Sequence, residues 1–407
     1  MQAPSASAVP VALPTSPHRI AVLDILRGVA LFGMIFVHFH QEFRLTSEGI
    51  ALYPGESWIG YIAWFGVEQK AWGTFAFLFG VGFAVLMRRA EQRGQPVVAL
   101  YLRRLAALAV IAVVLDALTG FTVLLDYAMF GVPLLFMRKW PAAILLAIAI
   151  VSAGSWAIEP FGMAVYEWAT LGREGADAAM ASRPPPRMRT PPPPPQTYGE
   201  FVGQRLQMLK ERLSHRSSWY PNSSFSLFII GLLAVRRGVF DNPRRHVRVI
   251  AVFMAIGLGS WALFWWGLPH LPTAFASRFV GRMMKTGLGI ISDQWLAFTY
   301  IGAVVLLLAY RPQWTGRLAF FGVAGRMALT NYVTQCIVIF ILSSPFALGL
   351  HLRPYFYTLG AIALFGVAVV FSHFWLSRFR YGPLEWLWRC ATYLRVPPLR
   401  RATSQAS

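Results

Sequence analysis

Between Arg19 and His40 the sequence reads RIAVLDILRGVALFGMIFVHFH, and only Arg19, Asp24, Arg27, His38 and His40 can ionise. A helix turns about 100° per residue, which places Asp24, Arg27, Leu31, Met34 and His38 along one face. Arg27 and His38 are eleven residues apart in sequence, roughly 16 Å along the axis. An acid, an arginine and a histidine on one stripe of an apolar helix are costly to bury, and such groups usually face a bundle interior or a water-filled cavity. A histidine oriented by a carboxylate is a general base near neutral pH. In acyl transfer it would deprotonate an acceptor hydroxyl or carry the acyl group itself, while Arg27 would hold an anionic part of the donor. His38, Arg27 and Asp24 are therefore the candidate catalytic residues. The plainer alternatives are an interfacial His38 bonded to water, a headgroup or backbone, and an i,i+3 Asp24–Arg27 pair at the membrane edge. His40 reads as interfacial.

The element that must carry this stripe is a membrane span. The chain is 56% hydrophobic and 13% charged, and long apolar runs recur from end to end, the composition of an all-α polytopic integral membrane protein. About ten spans are expected, near 20–40, 71–87, 102–118, 121–137, 140–158, 222–236, 247–266, 289–310, 325–345 and 355–377. With ten, arginines such as Arg88, Arg138, Arg244, Arg317 and Arg378 collect in the loops on one side, which predicts that both termini are cytoplasmic. The net charge of +20 then reflects this topology and attraction to anionic lipids of the bilayer, rather than a nucleic-acid surface. Cys336 and Cys390 are the only cysteines. They suggest neither a disulfide nor a metal site, and no bound cofactor is expected. Phosphate-binding loops, nucleophile elbows and HExxH are absent from the sequence. The first apolar stretch reads as an uncleaved span rather than a signal peptide.

Topology places further polar residues by depth. Asp116, Asp126 and Asp293 are expected in the same leaflet as His38, as candidate orienting partners. Arg326, Asn331 and Gln335 lie on the ninth span, where Asn331 and Gln335 read first as interhelical hydrogen bonders and Arg326 as a snorkelling residue. Glu68 and Lys70 read as a solvated ion pair at the outer face. Five regions follow: a disordered tail (1–18), a first bundle of five spans (19–158), a long external loop (159–221), a second bundle (222–378), and an interfacial helix with a tail (379–407). The external loop contains RPPPRMRTPPPPP at 183–195, an extended spacer, followed by an amphipathic stretch over Tyr198–Ser214 suited to the outer membrane surface. Trp386, Trp388 and Tyr393 read as interface anchors.

The stretch LDILRGVALFGMIFVH (23–38) resembles the opening of the YeiB-like family of bacterial inner-membrane proteins, domain-of-unknown-function family 418, and so do GRMALTNYVTQ (325–335) and YGPLEWLWR (381–389). A wider group of transmembrane acyltransferases has an arginine and a histidine at the same eleven-residue separation. Where the YeiB-like pattern usually has asparagine, this chain has His38, so it leans toward those relatives. The resemblance implies a multi-pass protein of the bacterial inner membrane. The reading it favours is an acyltransferase that takes an acyl group from a cytoplasmic thioester, with acyl-CoA as donor substrate, to a hydroxyl of an envelope glycan or lipid. The alternative is a small-molecule transporter or exporter with an intramembrane Asp/His proton relay.

Overall fold

The computed structural model describes residues 17–46, 56–121, 123–182, 195–214, 223–267 and 278–401. Among these described residues fifteen α-helices follow one another: α1 (Pro17–Thr46), α2 (Glu56–Ile62), α3 (Gln69–Gln92), α4 (Val97–Thr119), α5 (Val123–Phe136), α6 (Ala142–Ser182), α7 (Tyr198–Ser214), α8 (Ser223–Arg236), α9 (Val247–Ala262), α10 (Arg278–Tyr310), α11 (Trp314–Arg317), α12 (Ala319–Arg326), α13 (Ala328–Ser343), α14 (Pro354–Arg378) and α15 (Pro383–Tyr393). Among the described residues no strand is formed; the one β-type contact is an isolated bridge between Phe379 and Arg400.

Among the described residues six segments are long and apolar enough to cross a membrane: Ala21–Phe43, Gly66–Gln92, Val97–Thr119, Pro243–Trp266, Ser292–Tyr310 and Pro354–Arg378. The pair α12 and α13, which meet at 83°, makes a seventh if read as one bent span. Ala142–Ser155 and Ser223–Arg236 are apolar but shorter, and α5 has 14 residues against the roughly 20 that a straight crossing needs. The external loop expected over 159–221 is in good part helical. Helix α6 continues to Ser182, changing direction at Gly172, whose φ of 67° no ordinary helix residue adopts. The proline-rich segment lies outside the described residues except for its last position.

Helix α1 is the hub. Of its spanning segment 78% is buried, against 11% for the segment containing α9 and 22% for α14. It packs on α3, α12, α13 and α14, while α3 packs on α8 and α10, so helices from the two halves of the sequence interleave. Close backbone approach makes this possible. A Cβ on Gly28 would lie 1.9 Å from the Phe321 carbonyl oxygen, and one on Gly325 would lie 2.0 Å from that of Asp24. Lipid tails supply no hydrophobic drive for helices to associate, so contact between them relies on small residues at such crossings.

Candidate functional site

The stripe on α1 faces inward. Leu31 and Met34 are fully buried, and Asp24 and His38 are buried at its two ends. Arg27 donates to Asp24 Oδ1 at 2.6 Å, the i,i+3 pair anticipated as the plainer role of these residues. Both line a cavity of about 680 Å³ at this end of the bundle.

Among the described residues seven arginines line that cavity. Arg27 comes from α1 and Arg104 from α4; Arg89 and Arg93 come from the end of α3 and the residue after it; Arg326 closes α12; Arg380 and Arg389 flank and enter α15. Two carboxylates, Asp24 and Glu385, face them. Arg104 lies 3.6 Å over the ring of Trp388, whose Nε1 donates to the Arg104 carbonyl at 2.8 Å, and Arg389 lies over Tyr381. Stacked guanidiniums hold their position and keep N–H groups free for an anion. Sequence reasoning counted most of these arginines only as loop charges. The missed signal was their position at the facing ends of α3, α4 and α15, which folding brings to one place.

The three stretches that carry the family resemblance converge on this cavity. Glu385 of α15 accepts from the backbone N–H groups of Leu329 (2.7 Å) and Thr330 (3.0 Å) and from Thr330 Oγ1 (2.5 Å). It therefore caps the first turn of α13, whose amides have no partner within their own helix. Burial raises the Glu385 carboxyl above the usual glutamate range, and the bonds from Thr330 and Leu329 oppose that shift. Asn331 spans the bend between α12 and α13, donating to the Ala324 carbonyl at 3.0 Å and to Ser372 Oγ at 2.9 Å. That carbonyl also accepts from the Met327 N–H at 3.1 Å where α12 ends, so Asn331 ties the bend to α14, the packing role expected of it. Arg326 is exposed at the cavity wall.

His38 does not line the cavity but touches a residue that does. Tyr332 lines the cavity, and its ring meets the imidazole edge-on at 5.9 Å. On its other sides His38 meets the tilted ring of Phe121 at 4.6 Å and the side chains of Gln335 and Cys336. The three aspartates considered as its orienting partners are engaged elsewhere. Asp116 and Asp126 pair with Arg205 and Arg212 of α7, and Asp293 accepts from Lys70 Nζ at 2.9 Å. Each follows from long-range packing that brings a cation to the carboxylate, an arrangement buried acids require.

These contacts revise four expectations. Lys70 is 1% exposed and joins α3 to α10, so it is not part of a solvated pair; Glu68 instead accepts from Gln41. Helix α7 is more than a surface helix: Arg205 and Arg212 clamp it over the ends of α4 and α5, and Tyr198 and Phe201 pack on Phe340 and Phe346. His40 is buried rather than interfacial, with its ring nitrogens at the Phe36 carbonyl and Thr358 Oγ1. Trp388, read as a membrane anchor, is a cavity wall residue.

Apolar helices of spanning length, an all-helical bundle and a polar interior define a polytopic membrane protein. Residues 19–176 match the family described as "Heparan-alpha-glucosaminide N-acetyltransferase, catalytic", and residues 234–395 match "Protein of unknown function (DUF418)". The chain is 30% identical over 414 residues to the uncharacterised protein YxaH of Bacillus subtilis (strain 168), covering 95% of this chain and 97% of that one. It is 25% identical over 424 residues to the uncharacterised protein YeiB of Escherichia coli (strain K12), covering 95% and 100%. An uncharacterised 39.9 kDa protein of Bacillus acidopullulyticus is 27% identical over 402 residues, covering 96% and 97%. The chain belongs to the YeiB-like DUF418 family, and its first half is similar to an acetyltransferase catalytic region.

Proposed function

We propose that this protein is an acyltransferase of the bacterial inner membrane. It crosses the membrane about ten times with both termini in the cytoplasm. It moves an acyl group from a cytoplasmic thioester donor, such as acyl-CoA, to a hydroxyl on an envelope glycan or lipid. The observation that carries this reading is the cavity: seven arginines and two carboxylates line it among the described residues, together with Tyr332, whose ring is in contact with His38. Such a lining suits a donor that carries phosphates for the arginines and a reactive carbonyl to present near Tyr332. The arginines would hold the phosphates.

In this reading the Tyr332 side chain turns aside and the donor carbonyl comes within reach of His38. The acceptor O–H gives its proton to the imidazole, the oxygen bonds to the thioester carbon, the C–S bond breaks, and the leaving thiolate takes the proton back. The match of residues 19–176 to an acetyltransferase catalytic region supports the reaction class. A transporter with an Asp/His relay is the competing reading. The 83° bend between α12 and α13 speaks for it, and the ion pairing of Asp116, Asp126 and Asp293 speaks against it.

The test uses the full chain in lipid nanodiscs with radiolabelled acetyl-CoA and longer acyl donors. Protein-bound label or CoA release should be seen in the wild type and lost in His38→Ala and Arg27→Ala. A folded wild type that releases no CoA from any donor refutes acyl transfer.

A further inference from the structure

A buried histidine base ordinarily has its second nitrogen held by a carboxylate or a carbonyl. Among the described residues no carboxylate contacts the His38 ring. Its Nδ1 faces the side-chain amide of Gln335, with Nε2 of that amide at 3.3 Å, and the Cys336 Sγ at 3.9 Å. Tyr332 and Cys336 of α13 are the titratable groups facing the ring, Phe121 covers it from the α4–α5 turn, and Glu42 lies one turn further along α1. Gln335 is 1% exposed, and its Oε1 is buried without a hydrogen-bond donor. Leaving a buried carbonyl unsatisfied costs about 1–3 kcal/mol.

The two atoms of the amide have opposite consequences. A neutral imidazole carries one N–H. When the Gln335 amide nitrogen donates to Nδ1, the imidazole proton must sit on Nε2, and Nε2 then has no lone pair to accept a proton or attack a carbonyl. A half-turn of the amide about its terminal torsion brings the orphan Oε1 to Nδ1. Nδ1 then carries the hydrogen and donates it, and Nε2 is left as the base.

We propose that Gln335 is the positioning residue of His38, and that its side-chain carbonyl, accepting from Nδ1–H, selects the reactive tautomer in place of a carboxylate. The proposal rests on the acyl-transfer reading for its effect on rate, whereas the tautomer itself is observable without turnover. During transfer the Nδ1–H bond stays on Gln335 Oε1. Only Nε2 gains and then loses the acceptor's proton, so the pair returns to its starting state. An amide suits this depth in the bundle: it fixes the ring without adding a buried formal charge.

The experiment is ¹⁵N-histidine NMR on the full chain in nanodiscs, with His38→Asn identifying the His38 signals, beside CoA-release kinetics over pH. In the wild type with donor present, Nε2 should show the shift of an unprotonated nitrogen and Nδ1 that of a protonated one. Gln335→Leu should mix the tautomers and lower kcat by about tenfold or more with little change in KM. Gln335→Glu should keep the tautomer, restore part of kcat, and move the acidic limb of the pH profile upward by about one unit or more, because a carboxylate favours the imidazolium. His38 signals and pH profiles identical in the wild type and both variants overturn the proposal, as does a wild-type Nε2–H tautomer with donor bound. His38 signals that respond as expected in a wild type that releases no CoA support the contact and overturn acyl transfer instead.

Discussion

Replacing Glu385 tests whether α15 is a structural part of the bundle or a surface anchor. Its carboxylate accepts three hydrogen bonds, two from the first turn of α13 and one from Thr330 Oγ1, which also accepts from Leu384 N–H at 3.1 Å. Glu385→Ala leaves two helix-end amides and a hydroxyl without their acceptor. At about 1–3 kcal/mol for each buried group, reduced because the cavity admits water, the loss should be about 3–5 kcal/mol in total. In detergent this should lower the unfolding temperature by roughly 5–10 °C. Glu385→Gln keeps one acceptor oxygen and should lose about half as much. Because burial raises the Glu385 carboxyl above its ordinary range, its pH-linked contribution is full below the unfolded glutamate pKa of about 4.3 and is lost as pH rises through the higher folded value. The wild type should therefore gain more stability than Glu385→Gln on going from pH 8 to pH 4. Thermal unfolding followed by a thiol-reactive dye or tryptophan emission reads both effects. A Glu385→Ala protein that unfolds within about 2 °C of the wild type would refute the capping argument.

Gly28→Ala and Gly325→Ala should each prevent accumulation of monodisperse protein, since the added methyl would meet a backbone oxygen at 1.9 or 2.0 Å; Gly366→Ala, with open space around it, is the control and should be tolerated. Size-exclusion profiles after extraction distinguish them. Lys70→Met should destabilise the bundle by about 3–5 kcal/mol by leaving Asp293 buried without its cation, and adding Asp293→Leu should recover most of that loss, as read in denaturant titrations. Arg104→Ala should weaken binding of CoA by about tenfold and flatten its salt dependence, while Arg317→Ala, which lies outside the cavity on Trp314, should not. Equal affinities by calorimetry would count against the cavity as an anion site.

Much of this protein was legible along the chain because a bilayer imposes a local rule. Every backbone group must be bonded within its own helix, so apolar runs identify helices and charges mark their ends. The inward stripe on α1 is equally local: Asp24, Leu31, Met34 and His38 share a face by helical period alone, and all four are buried. Partners are a different matter. Asp116, Asp126 and Asp293 were placed at a depth and offered as partners of His38, and each is instead claimed by a cation from a distant helix, Arg205, Arg212 or Lys70. A hydropathy pattern carries no information about which helices touch, because lipid and protein interior are equally apolar; small residues and a few polar bonds choose the pairs. Folding alone brought Arg89, Arg104 and Arg389 around one cavity and turned Trp388 from an anchor into its wall. It also set Gln335, not a carboxylate, against His38. Helical period named the histidine. The packing of α13 on α1 chose what holds it.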